Sequence, residues 1–189
     1  MPLPPPAERP LWAVGARRAR PPDPDRAALV KALRELAAGS EAFVAVFDAR
    51  AIAGERHLLS AWAHLGRSRS RAEARLRDRA AEFALYVAGD DQLPRALAKV
   101  GIASDTEEFV VAGERARDPA AVLAALGLAA SEGIYPRPVD AALLERLGIG
   151  ATERSAVPES AWEGLVLERV ALLDLTPPAR SAPEKGKGQ

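Results

Sequence analysis

The residues of this chain best suited to chemistry are two histidines, His57 and His64, and the arginines that follow them in GRSRSRAEARLRDR. Seven positions apart, the histidines share one side of a helix but stand about 10 Å apart along it, too far to share a metal ion unaided. Helix-borne zinc sites place two histidines at i and i+4 with a further ligand, and this chain has neither HExxH nor any cysteine. Both histidines therefore read as structural, with His57 placed to orient a loop. Paired with a distant carboxylate, His57 would instead serve a metal-free ligand-binding or enzymatic site. No nucleophile completes such a site: GxSxG is absent, as are the phosphate-cradling GxGxxG and GxxxxGK[ST] patterns, and no cofactor is called for. The adjacent acids Glu107 and Glu108, or Asp90 and Asp91, point apart and read as solvated charge.

Six arginines, Arg67, Arg69, Arg71, Arg75, Arg77 and Arg79, face only Glu73 and Asp78 in the same stretch, a local net charge of +4. Arg71, Arg75 and Arg79 recur at i, i+4 and i+8, which predicts a ridge on one helix, opposite Leu76 and Phe83. Guanidinium groups present planar forks of donors to phosphate oxygens, so this ridge is a candidate phosphate-binding surface. Ser68 and Ser70 add hydroxyls, but the stretch offers no aromatic ring to stack a base, so binding there is blind to sequence. The same arginines also fit an ordinary solvated helix face, partly paired by Glu73 and Asp78.

Periodicity predicts the elements that position these residues. Residues 11–19 read as a first strand, and Pro24 and Asp25 open a helix with Leu29, Leu33 and Leu36 on one face, ended by Gly39. The continuous run FVAVF, residues 43–47, predicts a strand buried on both faces and central in its sheet. Leu58, Ala61, Trp62 and Leu65 mark a short helix closed by Gly66. Leu76, Ala80, Phe83 and Val87 mark a helix over about 72–88, stopped by Gly89, and a brief helix over 93–100 ends at Gly101. A strand follows at EEFVVAG; Asp118 with Pro119, and later Asp140, cap two further helices. Pro158 opens the last helix, whose stripe of Trp162, Val166, Val170 and Leu173 leaves Leu165, Leu167 and Leu172 on other faces. Such a helix is either central to the domain or meets a partner.

The chain has 189 residues, 26 basic and 26 acidic, so global charge favours no partner class. Without cysteine it has no disulfide or thiol chemistry, which fits a reducing, cytoplasmic setting. No apolar run is long enough to span a bilayer, and MPLPPPAERP is unlike a secretory signal. Residues 1–10 and 176–189 are rich in Pro, Gly and charge and are expected to be flexible tails around one domain at 11–175. Strands and helices mix without βαβ alternation, which predicts an α/β (α+β) fold: a compact domain with a small mixed sheet and about seven helices.

Three segments, FDARAIAGERHLLSA, EFALYVAGDDQLPRALAKVGI and LVLERVALLDL, occur in the order seen in one family. With Ala49, Gly54, His57, Ala61, Glu82, Tyr86, Gly89, Gln92, Gly101, Glu168, Arg169 and Ala171 in register, the chain resembles the small kinase-binding subunit of the KEOPS tRNA-modification complex, the PRPK-binding-protein family. The resemblance implies a non-catalytic subunit that binds and stimulates a Bud-type kinase or ATPase. It also implies recruitment of tRNA by its 3′ CCA end for threonylcarbamoyl-adenosine formation next to the anticodon. On that basis Arg67, Arg69, Arg71, Arg75 and Arg79 are expected to contact tRNA. Leu165, Val166 and Leu172, with Leu58 and Trp62 as neighbours, are expected to seat the kinase. A generic protein-binding scaffold is the alternative.

Overall fold

Alternation of apolar side chains along three strands gives the sheet two buried faces, and this decides where every helix packs. The computed structural model describes residues 10–19, 26–38 and 42–175. Along the chain run β1 (Leu11–Arg18), α1 (Arg26–Ala38), β2 (Val44–Asp48), α2 (Glu55–Ser70), α3 (Arg79–Ala88) and α4 (Leu93–Val100). β3 (Glu108–Glu114), α5 (Pro119–Ala125), β4 (Leu128–Ala130), α6 (Ala141–Arg146), α7 (Ala151–Ser155) and α8 (Trp162–Leu172) complete it, with short 3-10 turns at Ala49–Ala51, Glu159–Ala161 and Leu173–Leu175. The fold is thus mixed α/β, with eight α-helices and four strands among the described residues. The tails expected at the two ends, apart from Pro10, and the helix signals at Pro24, Asp25 and Gly39 lie outside the described residues.

The strands form one sheet in the order β2-β3-β1-β4, and every pairing is antiparallel, where a mixed sheet was expected. Ala45, Phe47, Val110 and Ala112 face the core built with α2, α3, α4, α6 and α8. Val44, Val46, Phe109 and Val111 face the opposite core, with Leu29 of α1 and Val122 and Leu123 of α5. β2 is therefore buried on both faces as expected but stands at the sheet edge, and β3 and β1 take the centre. The apolar run of β2 reports helices above and below it, which an edge strand meets as readily as a central one.

On the larger face, Phe43, Phe47, Trp62 and Phe83 form an aromatic cluster, with Trp62 stacked on Phe43 at 5.3 Å between centroids. α2, α3 and α8 form the outer layer beyond it. α3 stops at Gly89 in the left-handed conformation, φ 57°, where an added Cβ would lie 2.4 Å from Cγ and 3.0 Å from the carbonyl oxygen of Arg169. Glycine therefore both turns the chain and lets α8 approach. α8 is a surface helix: Val166 and Val170, with Leu173 just beyond its end, point into the core, while Glu168, Ala171 and Leu172 are exposed. Among the described residues no helix is long and apolar enough to cross a membrane.

Candidate functional site

The arginine ridge does not assemble. α2 continues through Gly66 to Ser70, and Asp78 starts a new helix by accepting hydrogen bonds from the backbone N–H groups of Ala80 (2.7 Å) and Ala81 (3.0 Å). Arg71 and Arg75 fall in the connection and Arg79 opens α3, so the three share no helix face. Several of these arginines serve the fold. Arg69 Nε donates to Glu82 Oε2 at 2.8 Å, and its Nη2 reaches the carbonyls of Leu76 and Arg77. Arg75 donates to the Leu173 carbonyl. Arg79 forks onto Glu114 at 2.7 and 3.2 Å and lies over the rings of Phe43 and Trp62. Arg67, 3.9 Å from Asp174, and Arg71 and Arg77 keep exposed side chains.

Glu82 organises this connection. Its carboxylate is fully buried and also accepts from the Arg75 backbone N–H (2.8 Å) and from Ser68 Oγ (3.3 Å). Ser68 is thus a buried helical residue whose hydroxyl is turned to Glu82 and not offered to a phosphate. A buried carboxylate is stable only when so surrounded.

Of the expected kinase contacts, Leu58 and Val166 are 0% exposed and line the core, so neither can meet a partner in this fold. Both stand on the inward stripes of α2 and α8, which the sheet and α3 claim first. Trp62 and Leu165 are partly buried against the same core. Leu172 is 44% exposed and Leu175, just beyond it, 78%. Beside Leu172 a shallow hollow of about 280 Å³ is lined by Asp90, Asp91, Arg95, Lys99 and Arg169. Asp90 is not simply solvated: it is buried, accepts from the Gln92 backbone N–H (3.0 Å) and from Arg95 Nε (3.0 Å), and pairs with Lys99 (3.1 Å). Burial raises its carboxyl pKa, but these donors outweigh burial and hold it below the ordinary value.

His57 is fully buried between two backbone groups. Its Nδ1 accepts from the Ala53 N–H at 3.2 Å and its Nε2–H donates to the Val87 carbonyl at 2.8 Å, which fixes the neutral tautomer. Burial pushes its pKa down to about 4, against a smaller upward pull from the Val87 carbonyl. Neither ring nitrogen is open to a substrate, so His57 pins α2 to α3 and cannot act as the base of a ligand site. His64 Nδ1 lies 2.6 Å from Asp174 Oδ2 and its ring stacks on Tyr86. Among the described residues no group of three or more His, Asp and Glu is arranged to hold a metal ion.

Two groupings escape a reading by local pattern. Asp48, at the end of β2, is buried and gathers Arg50 (2.6 Å), Arg146 (3.0 Å) and Thr106 Oγ1 (3.1 Å), tying the sheet edge to α6. On the other side of the sheet, Arg18, Arg26, Lys31 and Arg34 line a hollow of about 660 Å³. The only local signal for the latter is the i, i+4, i+8 row of Arg26, Val30 and Arg34 on α1; Arg18 joins it only through the fold. No protein-family model matches this chain, and no curated protein sequence matches it.

Proposed function

We propose that this protein is a non-catalytic subunit of the KEOPS kinase-binding type, which binds and stimulates a Bud-type kinase or ATPase and helps present tRNA for threonylcarbamoyl-adenosine formation. The observation that carries the reading is the convergence of the three resembling segments on one joint. His57 of α2 pins Val87 of α3, Gly89 at the end of α3 lies under Arg169 of α8, and Glu82 of α3 holds the connection from α2. Residues in register with a family across separate segments thus share one structural task.

The kinase contact falls to the exposed end of α8. Leu172 and Leu175 provide an apolar anchor, and the rim of Asp90, Asp91, Arg95, Lys99 and Arg169 provides the polar surround typical of protein interfaces. Leu172→Asp with Leu175→Asp tests this. The double variant should lower affinity for the kinase at least tenfold in a biolayer binding assay and leave the protein folded, because neither Leu172 nor Leu175 is part of the buried core. Unchanged affinity would overturn the assignment. The use of Arg69, Arg75 and Arg79 within the fold favours a second reading, a scaffold that binds protein alone; it differs in predicting no tRNA binding.

A further inference from the structure

The hollow between the end of β1 and the first half of α1 has the charge of an anion site. Its described lining carries four cations, Arg18, Arg26, Lys31 and Arg34, together with the Ser104 hydroxyl, and no carboxylate. α1 sets three of them on one side, since 26, 30 and 34 form one helical row and 31 stands beside it. Arg26 and Arg34 lie about 12 Å apart along the axis, which spreads positive charge over a length greater than one phosphate group.

Among the described residues these cations are poorly neutralised. Arg26 and Arg34 make no hydrogen bond or ion pair among the described residues. Among the described residues Lys31 meets only Glu35, at 3.8 Å and with both side chains largely in solvent, a tie too weak to hold it from a ligand. Arg18 is better anchored: its Nη2 donates to the Thr106 carbonyl at 3.4 Å and its guanidinium lies 5.9 Å from the Phe109 ring centroid. Its Nε is nonetheless buried with no hydrogen-bond partner. An orphaned guanidinium N–H beside three further cations is a donor that awaits an acceptor.

We propose that this hollow binds clustered phosphate groups, carried either by a single RNA strand or by a free nucleoside polyphosphate. Arginine forks match phosphate oxygens, and like charges gathered without counter-charge among the described residues gain most from a multiply charged anion. A volume of about 660 Å³ accommodates a nucleotide. The described lining has no aromatic ring, so recognition is of phosphate charge and not of base identity. The RNA form rests on the tRNA part of the reading above; the nucleotide form does not.

The test measures two ligands on three proteins: a fluorescein-labelled single-stranded RNA by anisotropy and ATP by calorimetry, against wild type, Arg26→Glu with Arg34→Glu, and a charge-matched control at two exposed arginines away from the hollow, Arg77→Glu with Arg115→Glu. The α1 pair should weaken at least one ligand at least tenfold, while the control changes neither by more than about threefold. If RNA is the ligand, the slope of log affinity against log salt should shrink by about 1.4, two contacts at about 0.7 each. Loss of RNA binding alone identifies a strand, and loss of ATP binding alone a free nucleotide. The site is overturned if wild type binds neither ligand, if the α1 pair changes nothing, or if both pairs lose binding equally. RNA binding that survives both reversals, with ATP binding absent or equally unchanged, overturns this site and leaves the tRNA reading standing. ATP binding through the hollow without any RNA binding does the reverse.

Discussion

Acid should unfold this protein through His57 before its carboxylates matter. The ring is held neutral with a folded pKa near 4, against an ordinary 6.5, so the unfolded chain takes up the proton first. The stabilisation from this difference is complete above about pH 6.5 and is lost as pH falls toward 4, at about 1.4 kcal/mol per pH unit. Between pH 7 and 4.5 the loss amounts to about 2 kcal/mol, a large share of the stability of a domain this size. Asp48 and Asp90 do not confuse this window. Burial raises both carboxyls, but hydrogen bonds and nearby cations, Arg50 and Arg146 at one and Gln92 N–H, Lys99 and Arg95 at the other, hold them below 3.8, and their contributions fade only below that. His57→Gln preserves the length to the Val87 carbonyl and removes the titration. Urea denaturation followed by fluorescence of the three tryptophans, at pH 7, 5.5 and 4.5, should show wild type losing about 2 kcal/mol more than the variant across the range. Parallel losses in the two proteins would refute the buried, neutral histidine.

Glu82→Gln should cost about 2 kcal/mol, because it leaves the Arg69 fork without its carboxylate, and should raise amide exchange across residues 71–78; unchanged protection there would show that Glu82 does not hold the connection. Ala72 sits at φ 58°, in the left-handed region and exposed, so Ala72→Gly should stabilise the protein by about 0.5 kcal/mol and raise Tm by about 2 °C; a lower Tm would contradict the strain.

Much of this architecture was legible because it rests on local chemistry. Asp118 and Asp140 cap α5 and α6, Gly89 and Gly101 end α3 and α4, and the stripe of Val166, Val170 and Leu173 is the buried face of α8. What failed involved competition between signals. Gly66 reads as a helix stop, yet its cost of about 1 kcal/mol is offset by the packing of Leu58, Ala61 and Leu65 on the same helix. The i, i+4, i+8 arginines suggest a ridge, but the Asp78 cap breaks the helix that would carry it, a signal present in the sequence and outweighed by the arginine spacing. Full burial of β2 could not distinguish an edge from a centre, because strand order is a long-range property. The basic hollow was invisible for the same reason: its cations come from the end of β1 and from α1, which only the sheet and its packing bring side by side.

Size-exclusion co-elution with the Bud-type kinase of the same genome, at micromolar concentration and moderate salt, tests the proposed kinase partnership. A single peak holding both proteins in fixed ratio is the predicted result. Separate elution, with both proteins folded, would contradict it.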